Sequence, residues 1–225
     1  LLLMTILPLG ALAQPANNEV LRGSGDLGLI IERASGSVQV IETTHNSSLC
    51  RVTGLGDLSH ATVVYSRDQR YGFVFGRDGG LNKVDLLRCR LDHRIVQAGN
   101  SIGGAISQDG RLVAVANYQP GGVRVFDSDP LEPVADLPSD YGDGDGDAGD
   151  ERKRSKVIGL VDAPGQRFVY ALWDAGEIRV ADLSDPANPT VRRFTGIGRN
   201  PYDGLITPDG RYYIAGLFSE DGLAL

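Results

Sequence analysis

The 225 residues carry 29 Asp and Glu against 22 Lys and Arg, a formal net charge of −7, with 41% hydrophobic residues, 30 Gly and 11 Pro. An acidic balance without a basic stripe excludes a surface built to displace the counterions of nucleic acid or to hold an anionic membrane. The length allows one or two domains with a sizeable core.

The chain opens with LLLMTILPLGALAQP, an apolar run closed by Ala11-Leu12-Ala13 ahead of Gln14. Small-x-small after an apolar stretch is the pattern of a signal peptidase site, here without the usual basic start. Residues 1–13 are therefore expected to be a signal peptide and 14–23 a short linker, which predicts export to the periplasm. The run is too short to span a bilayer as a mature helix, so no stable membrane insertion is expected. No Cys follows it to carry a lipid.

From residue 24 onward Val, Ile, Leu, Tyr and Phe fall in short alternating runs bounded by Gly and Pro, with no apolar period of 3.6 over a helical length. The chain reads as all-β. A hydrophobic strand leads repeatedly into a tight turn ending in Arg, at Ser66-Arg67-Asp68-Gln69-Arg70, Gln108-Asp109-Gly110-Arg111, Pro164-Gly165-Gln166-Arg167 and Pro208-Asp209-Gly210-Arg211. A second apolar strand follows each turn, and in the first three a Gly-led alternating strand follows at 79–85, 121–127 and 176–182. The turn arginines lie 41, 56 and 44 apart, the long interval holding an acidic, Gly-rich insertion at 139–151. A repeat of roughly 40–45 residues is that of four-stranded β-propeller blades. Blades are expected at about 24–54, lacking its innermost strand, then 55–98, 99–150 and 151–197, with a further one opening at 198. Because a propeller is stabilised by closure, 24–225 reads as a partial arc of four to five blades from a protein expected to have eight.

Two cysteines, Cys50 and Cys89, stand at different levels of their blades in the repeat alignment, and their pairing stays open. The insertion segment from Asp140 to Asp147 suggests a calcium loop, but Ala148 stands where that loop needs Gly and Arg154 where it needs a bidentate Glu. A solvated loop is the better reading.

The repeat also serves as an internal control, since a residue the fold requires should recur between blades. Counting back from the turn Arg aligns His60 with Ser101, Val157 and Pro201; Thr62 with Gly103, Gly159 and Asp203; and Tyr65 with Ile106, Asp162 and Ile206. His60 has no histidine counterpart, and it stands where the link from the previous blade enters the channel-lining strand. Asp162 replaces apolar residues, so it is expected to be buried, with a partner or a raised pKa. Tying down backbone N–H groups of a neighbouring blade is its structural alternative, as turn capping is for Asp203. His45 and His93 are expected at the surface of outer strands.

The segments GDLSHATVVYSRDQRYGFVFGRDGGLNKVDL, AGNSIGGAISQDGRLVAVANY, PGGVRVFD, KVIGLVDAPGQ and PYDGLITPDGRYY resemble the heme d1 propeller family of cytochrome cd1 nitrite reductase. Within it the resemblance is closest to exported members serving heme d1 biosynthesis, and it covers the chain from about Ser24 to the end. It implies non-covalent binding of heme d1 or its precursor, with His60 as axial ligand of the iron. Ser101 and Tyr202 would line the site, and Arg77, Arg154 and Lys156 would pair with tetrapyrrole carboxylates. Asp162 and Asp203 would be the catalytic carboxylates in a late side-chain modification or dehydrogenation. One departure is Val63, where the reductase carries an Arg. Another is the lack of C-x-x-C-H, which removes a c-type heme; no nucleotide fingerprint supports NAD. Partners implied are the tetrapyrrole substrate, nitrite reductase and other heme d1 assembly proteins. A non-catalytic carrier or scaffold for reductase maturation, and a ligand-free protein-interaction propeller, are the alternatives.

Overall fold

The computed structural model describes residues 24–142 and 153–225. The signal peptide expected at 1–13 and most of the insertion, with its calcium-loop reading, lie outside the described residues. A single 3-10 turn, Ser24–Asp26, precedes five antiparallel sheets in which each strand pairs with its neighbour in sequence. The first sheet holds Leu27–Glu32, Ser37–Glu42 and Ser47–Val52; the second Thr62–Tyr65, Tyr71–Phe75, Gly80–Asp85 and Arg90–Val96. Asn100–Ile106, Leu112–Gln119, Val123–Asp127 and Pro133–Leu137 form the third. Val157–Ala163, Arg167–Leu172, Glu177–Asp182 and Thr190–Phe194 form the fourth, and Pro201–Ile206, Tyr213–Leu217 and Gly222–Ala224 the fifth. A two-stranded hairpin, Asp140–Tyr141 with Lys153–Arg154, is the stem of the insertion.

The opening strands of sheets two to five lie against one another in order, Thr62–Tyr65 beside Asn100–Ile106, Val157–Ala163 and Pro201–Ile206. They line a central channel, and the sheets stand around it as propeller blades. Each apolar cluster is shared by two adjacent blades. Val38, Val40, Leu55, Val74 and Val84 join the first and second; Phe73, Phe75, Val113 and Val115 the second and third; Ala114, Val125, Phe168 and Tyr170 the third and fourth; and Val169, Ala171, Ile178 and Ala215 the fourth and fifth. Alternation puts successive side chains on opposite faces of a strand, so a blade buried on both sides reads as the near-continuous apolar runs seen in FVF and LVAVA.

The first-to-second strand turns repeat one local design. Ser66, Ser107 and Thr207 donate their hydroxyls to Asp68, Asp109 and Asp209 at 2.5, 2.7 and 2.5 Å. Each Asp accepts the N–H of Arg70, Arg111 or Arg211 at 3.1, 3.0 and 3.2 Å. Each hydroxyl oxygen accepts the N–H of the first residue beyond, Tyr71, Leu112 or Tyr212, at 2.9, 3.0 and 3.1 Å. Gly110 and Gly210 take the left-handed position with φ of 77° and 70°, which glycine adopts without a Cβ penalty.

In the fourth blade Ala163 replaces the hydroxyl residue and pairs directly with Arg167, so the turn is one residue shorter. Counting from the turn Arg therefore slips the second strand of that blade by one position.

Cys50 and Cys89 form a disulfide. It joins the last strand of the first blade to the hairpin turn of the second, so their differing levels within a blade are no obstacle. The bond ties neighbours rather than strands of one sheet.

Candidate functional site

The channel has two ends. The lower end carries the turns just described; the upper end carries the links between blades and the turns between second and third strands. His60 lies in the link entering the second blade, half-buried, and makes no hydrogen bond or ion pair among the described residues. Leu55 and Leu58, both fully buried, anchor that link in the core between the first two blades.

Around the upper rim one position recurs by hydrogen bonding. Arg77 N–H donates to the Asp57 carbonyl at 2.7 Å, Trp173 N–H to that of Lys156 at 3.0 Å and Phe218 N–H to that of Asn200 at 3.0 Å. The corresponding place in the third blade, just before the turn, belongs to Tyr118. An Arg and three aromatics thus face the channel mouth. Trp173, Tyr202 and Phe218 form a ring triad with centroids 5.4, 5.2 and 5.6 Å apart. Beside it a cleft of about 500 Å³ is walled by Tyr118, Tyr141, Lys153, Arg154, Lys156 and Asp174. Arg154 holds Asp140 at 3.2 Å and Lys156 holds Asp174 at 3.0 Å, all at the surface, where carboxylate partners exchange at little cost.

Burial above all, then hydrogen bonding to Tyr202, pushes the Tyr118 phenol far above its ordinary range; the Arg77 charge opposes this and the Asp203 charge adds to it. Burial and the Asp203 charge likewise push up Tyr213, whose hydroxyl donates to the Gly159 carbonyl at 2.8 Å. Asp203 is exposed and lines the channel wall with Thr62, Gly103 and Gly159, its counterparts in the sequence rows.

Of the residues expected at the site, His60, Arg77, Tyr202, Arg154, Lys156 and Asp203 gather at the upper end. Two do not fit as expected. Ser101 is fully buried, donating its hydroxyl to the Gly76 carbonyl at 3.1 Å and accepting from Gln97 at 3.4 Å, so it holds two blades together and presents nothing to a ligand. Asp162 is neither buried nor near His60. Its side chain is 30% exposed at the lower end, where it accepts hydrogen bonds from Arg67 at 3.1 Å and from Gln108. Five residues of strand separate its row from that of His60, about 16 Å at ~3.3 Å per residue. The partner expected for its charge is present, but it is a guanidinium, not backbone N–H. Arg67 also donates to the carbonyls of Ile106 and Ser107 at 2.8 Å each, so the unit fastens three blades. His45 and His93 are exposed.

Tyr118, Trp173, Phe218 and Lys153 were not singled out by the sequence. A signal existed, because aromatics stood where turn residues are usually polar, but the one-residue slip in the fourth blade hid their common row.

A family model described as the Cytochrome D1 heme domain matches residues 22–225. Protein NirF of Pseudomonas aeruginosa is 61% identical over 223 residues, covering 99% of this chain and 54% of that protein. Protein NirF of Stutzerimonas stutzeri is 59% identical over 204 residues, covering 91% and 51%. The chain thus spans about half the length of the curated relatives it matches. The solved structure titled dihydro-heme d1 dehydrogenase NirN in complex with DHE superposes with a TM-score of 0.74 at 22% identity, over 90% of this chain and 42% of that one, a likeness of fold. Matched over nearly its whole length and built as an arc of propeller blades, this chain belongs to the Cytochrome D1 heme domain family.

Proposed function

We propose that this protein binds a heme d1-type tetrapyrrole non-covalently across the upper mouth of the channel and serves in heme d1 biosynthesis. The observation that carries this reading is that the His60 imidazole, with no hydrogen bond or ion pair among the described residues, and the aromatic triad Trp173, Tyr202 and Phe218 lie at the same end of the channel. The residues fit the group. The aromatics offer flat apolar area to a macrocycle, His60 offers a ring nitrogen to its iron, and Arg77, Lys153, Arg154 and Lys156 offer cations to its carboxylates.

The iron of a bound tetrapyrrole supplies electron-transfer chemistry. Among the protein groups, Asp203 would accept or return a proton at the channel wall, while the Tyr118 phenol, kept protonated by burial, donates a hydrogen bond and Tyr202 offers a second hydroxyl. A late side-chain modification or dehydrogenation is the reaction class this arrangement suits, and Asp162, engaged by Arg67 at the far end, has no part in it. That separation favours a second reading, a non-catalytic carrier handing the tetrapyrrole to nitrite reductase or other assembly proteins. The Cys50–Cys89 disulfide supports an oxidising compartment, in accord with export to the periplasm.

Titration of the full-length protein with heme d1, followed by absorption, tests the reading. His60→Ala should shift the Soret and d1 bands and weaken binding by about tenfold or more while the melting temperature holds. An unchanged spectrum and affinity would remove His60 as ligand. Turnover of the immediate precursor distinguishes enzyme from carrier.

A further inference from the structure

The side chain that most directly shapes the His60 link is on another element. Asp78 sits in the turn between the second and third strands of the second blade, next to Arg77. Its Oδ2 accepts the Asp57 N–H at 3.3 Å and a hydrogen bond from Arg94 Nη2 at 2.5 Å, and its Oδ1 accepts the Gly80 N–H at 3.0 Å. Three glycines make room for it. A Cβ at Gly76 or Gly80 would lie 2.8 or 2.9 Å from Oδ1, and one at Gly56, where φ is +84°, would collide with both Oδ2 and the Arg94 guanidinium. The link continues as a chain of local bonds: the Asp57 carbonyl accepts Arg77 N–H at 2.7 Å, the Asp57 carboxylate accepts Ser59 N–H at 2.9 Å, and Ala61 N–H closes on Leu58 O at 3.2 Å. His60 is held between the last two contacts, with no side-chain bond among the described residues to fix it.

We propose that Asp78, clamped by Arg94, is the positioning residue for the iron-binding imidazole, setting the conformation of the 55–61 link and joining it to the turn that presents Arg77. This rests on the reading of His60 as ligand. A carboxylate suits the task because it accepts two backbone donors and a guanidinium at once. The ion pair is only partly exposed, 23% for Arg94 and 33% for Asp78, which limits its exchange with water. Groups that fix the segment carrying a ligand change affinity when lost, because the ligand must then be ordered at the moment of binding.

Asp78→Ala, His60→Ala and the double variant of the full-length protein test this in two ways. In the apoprotein, Asp78→Ala should speed amide exchange at Asp57 and Arg77 while the core amides of the second blade, such as Val74, stay protected. On titration with heme d1 it should weaken binding roughly 10–100-fold and move the bands toward those of His60→Ala. Added to His60→Ala it should cost clearly less than it does alone, the remainder passing through Arg77. Asp78→Asn, which keeps an acceptor for Gly80 but loses the charge pair, should fall between. Should Asp78→Ala fail to fold, Arg94→Gln replaces it, with the same direction expected in exchange and spectrum. Unchanged exchange and spectrum in the folded variant, or losses that add in the double variant, would overturn the proposal. An unchanged His60→Ala spectrum would instead overturn the ligand reading, leaving the exchange experiment to decide the role of Asp78 in the link.

Discussion

The two ends of the channel are built from the same strands, yet one end repeats a single closed polar design and the other changes from blade to blade. At the lower end hydroxyl, carboxylate and backbone N–H close on one another in the turns of the second, third and fifth blades, and Arg67 binds two carbonyls and Asp162. At the upper end the equivalent places differ from blade to blade: Arg77, Tyr118, Trp173 and Phe218. Repetition marks architecture and departure marks chemistry, because a turn that must only reverse the chain has one good solution, while a ligand without propeller symmetry needs different groups on each side.

The sharpest way to break the contrast is to remove the support beneath the upper rim. Glu177 receives Arg179 at 3.0 Å and Arg193 at 2.6 Å, and Arg179 in turn donates to the carbonyls of Pro138 and Asp140 at 2.8 and 2.7 Å, at the base of the hairpin that presents Lys153 and Arg154. The side chains of Glu177 and Arg179 are 6% and 5% exposed. Glu177→Ala strands a buried guanidinium and should cost about 3–5 kcal/mol in urea denaturation, the largest effect expected here. Trp173→Ala opens the aromatic triad; heme d1 affinity should fall by about tenfold, ~1.4 kcal/mol, read from the same absorption titration. Loss of binding without loss of fold would sharpen the contrast.

The lower end should answer to acid. Hydrogen bonds from Ser66 and Thr207 hold Asp68 and Asp209 below the usual carboxylate range; for Asp109 burial pushes upward, and the Ser107 hydroxyl and Arg111 N–H outweigh it. At Glu42, beside the turn between the last two strands of the first blade, burial is likewise outweighed by donors from His45 and Thr44, leaving the carboxyl at about 2. Unfolded carboxyls titrate near ~4, so these groups contribute stability fully present above about pH 5 and lost as pH falls through their depressed folded values. The melting temperature should therefore drop between about pH 4 and 2, and Asp109→Asn should flatten part of that slope while costing about 1 kcal/mol at pH 7. The smallest effect belongs to Asp162→Asn. Its pair with Arg67 is half open to water, so the change should cost under about 1 kcal/mol and leave heme d1 binding untouched. A binding defect in that variant would mean that the two ends act together.

Strand alternation, the four-stranded period and the tight turn ending in Arg were legible in the chain because each is a contact between residues a few positions apart, which any extended strand or tight turn of that composition makes. His60 could be picked out by the same means, as a departure from a repeat. The tertiary structure alone decided which departures meet. His60 lies in the link that enters the second blade and Asp162 near the far end of the opening strand of the fourth, and the passage of those strands along the channel puts one at the upper mouth and the other at the lower. Arg67 reaches Asp162 across 95 residues of sequence, Arg94 reaches Asp78 across the width of a blade, and Cys50 finds Cys89 in the next blade rather than its own. The aromatic row was hidden by a turn shorter by one residue, a shift that period counting carries forward as an error and that strand pairing corrects, because hydrogen-bond register is set by the partner strand and not by position in the chain.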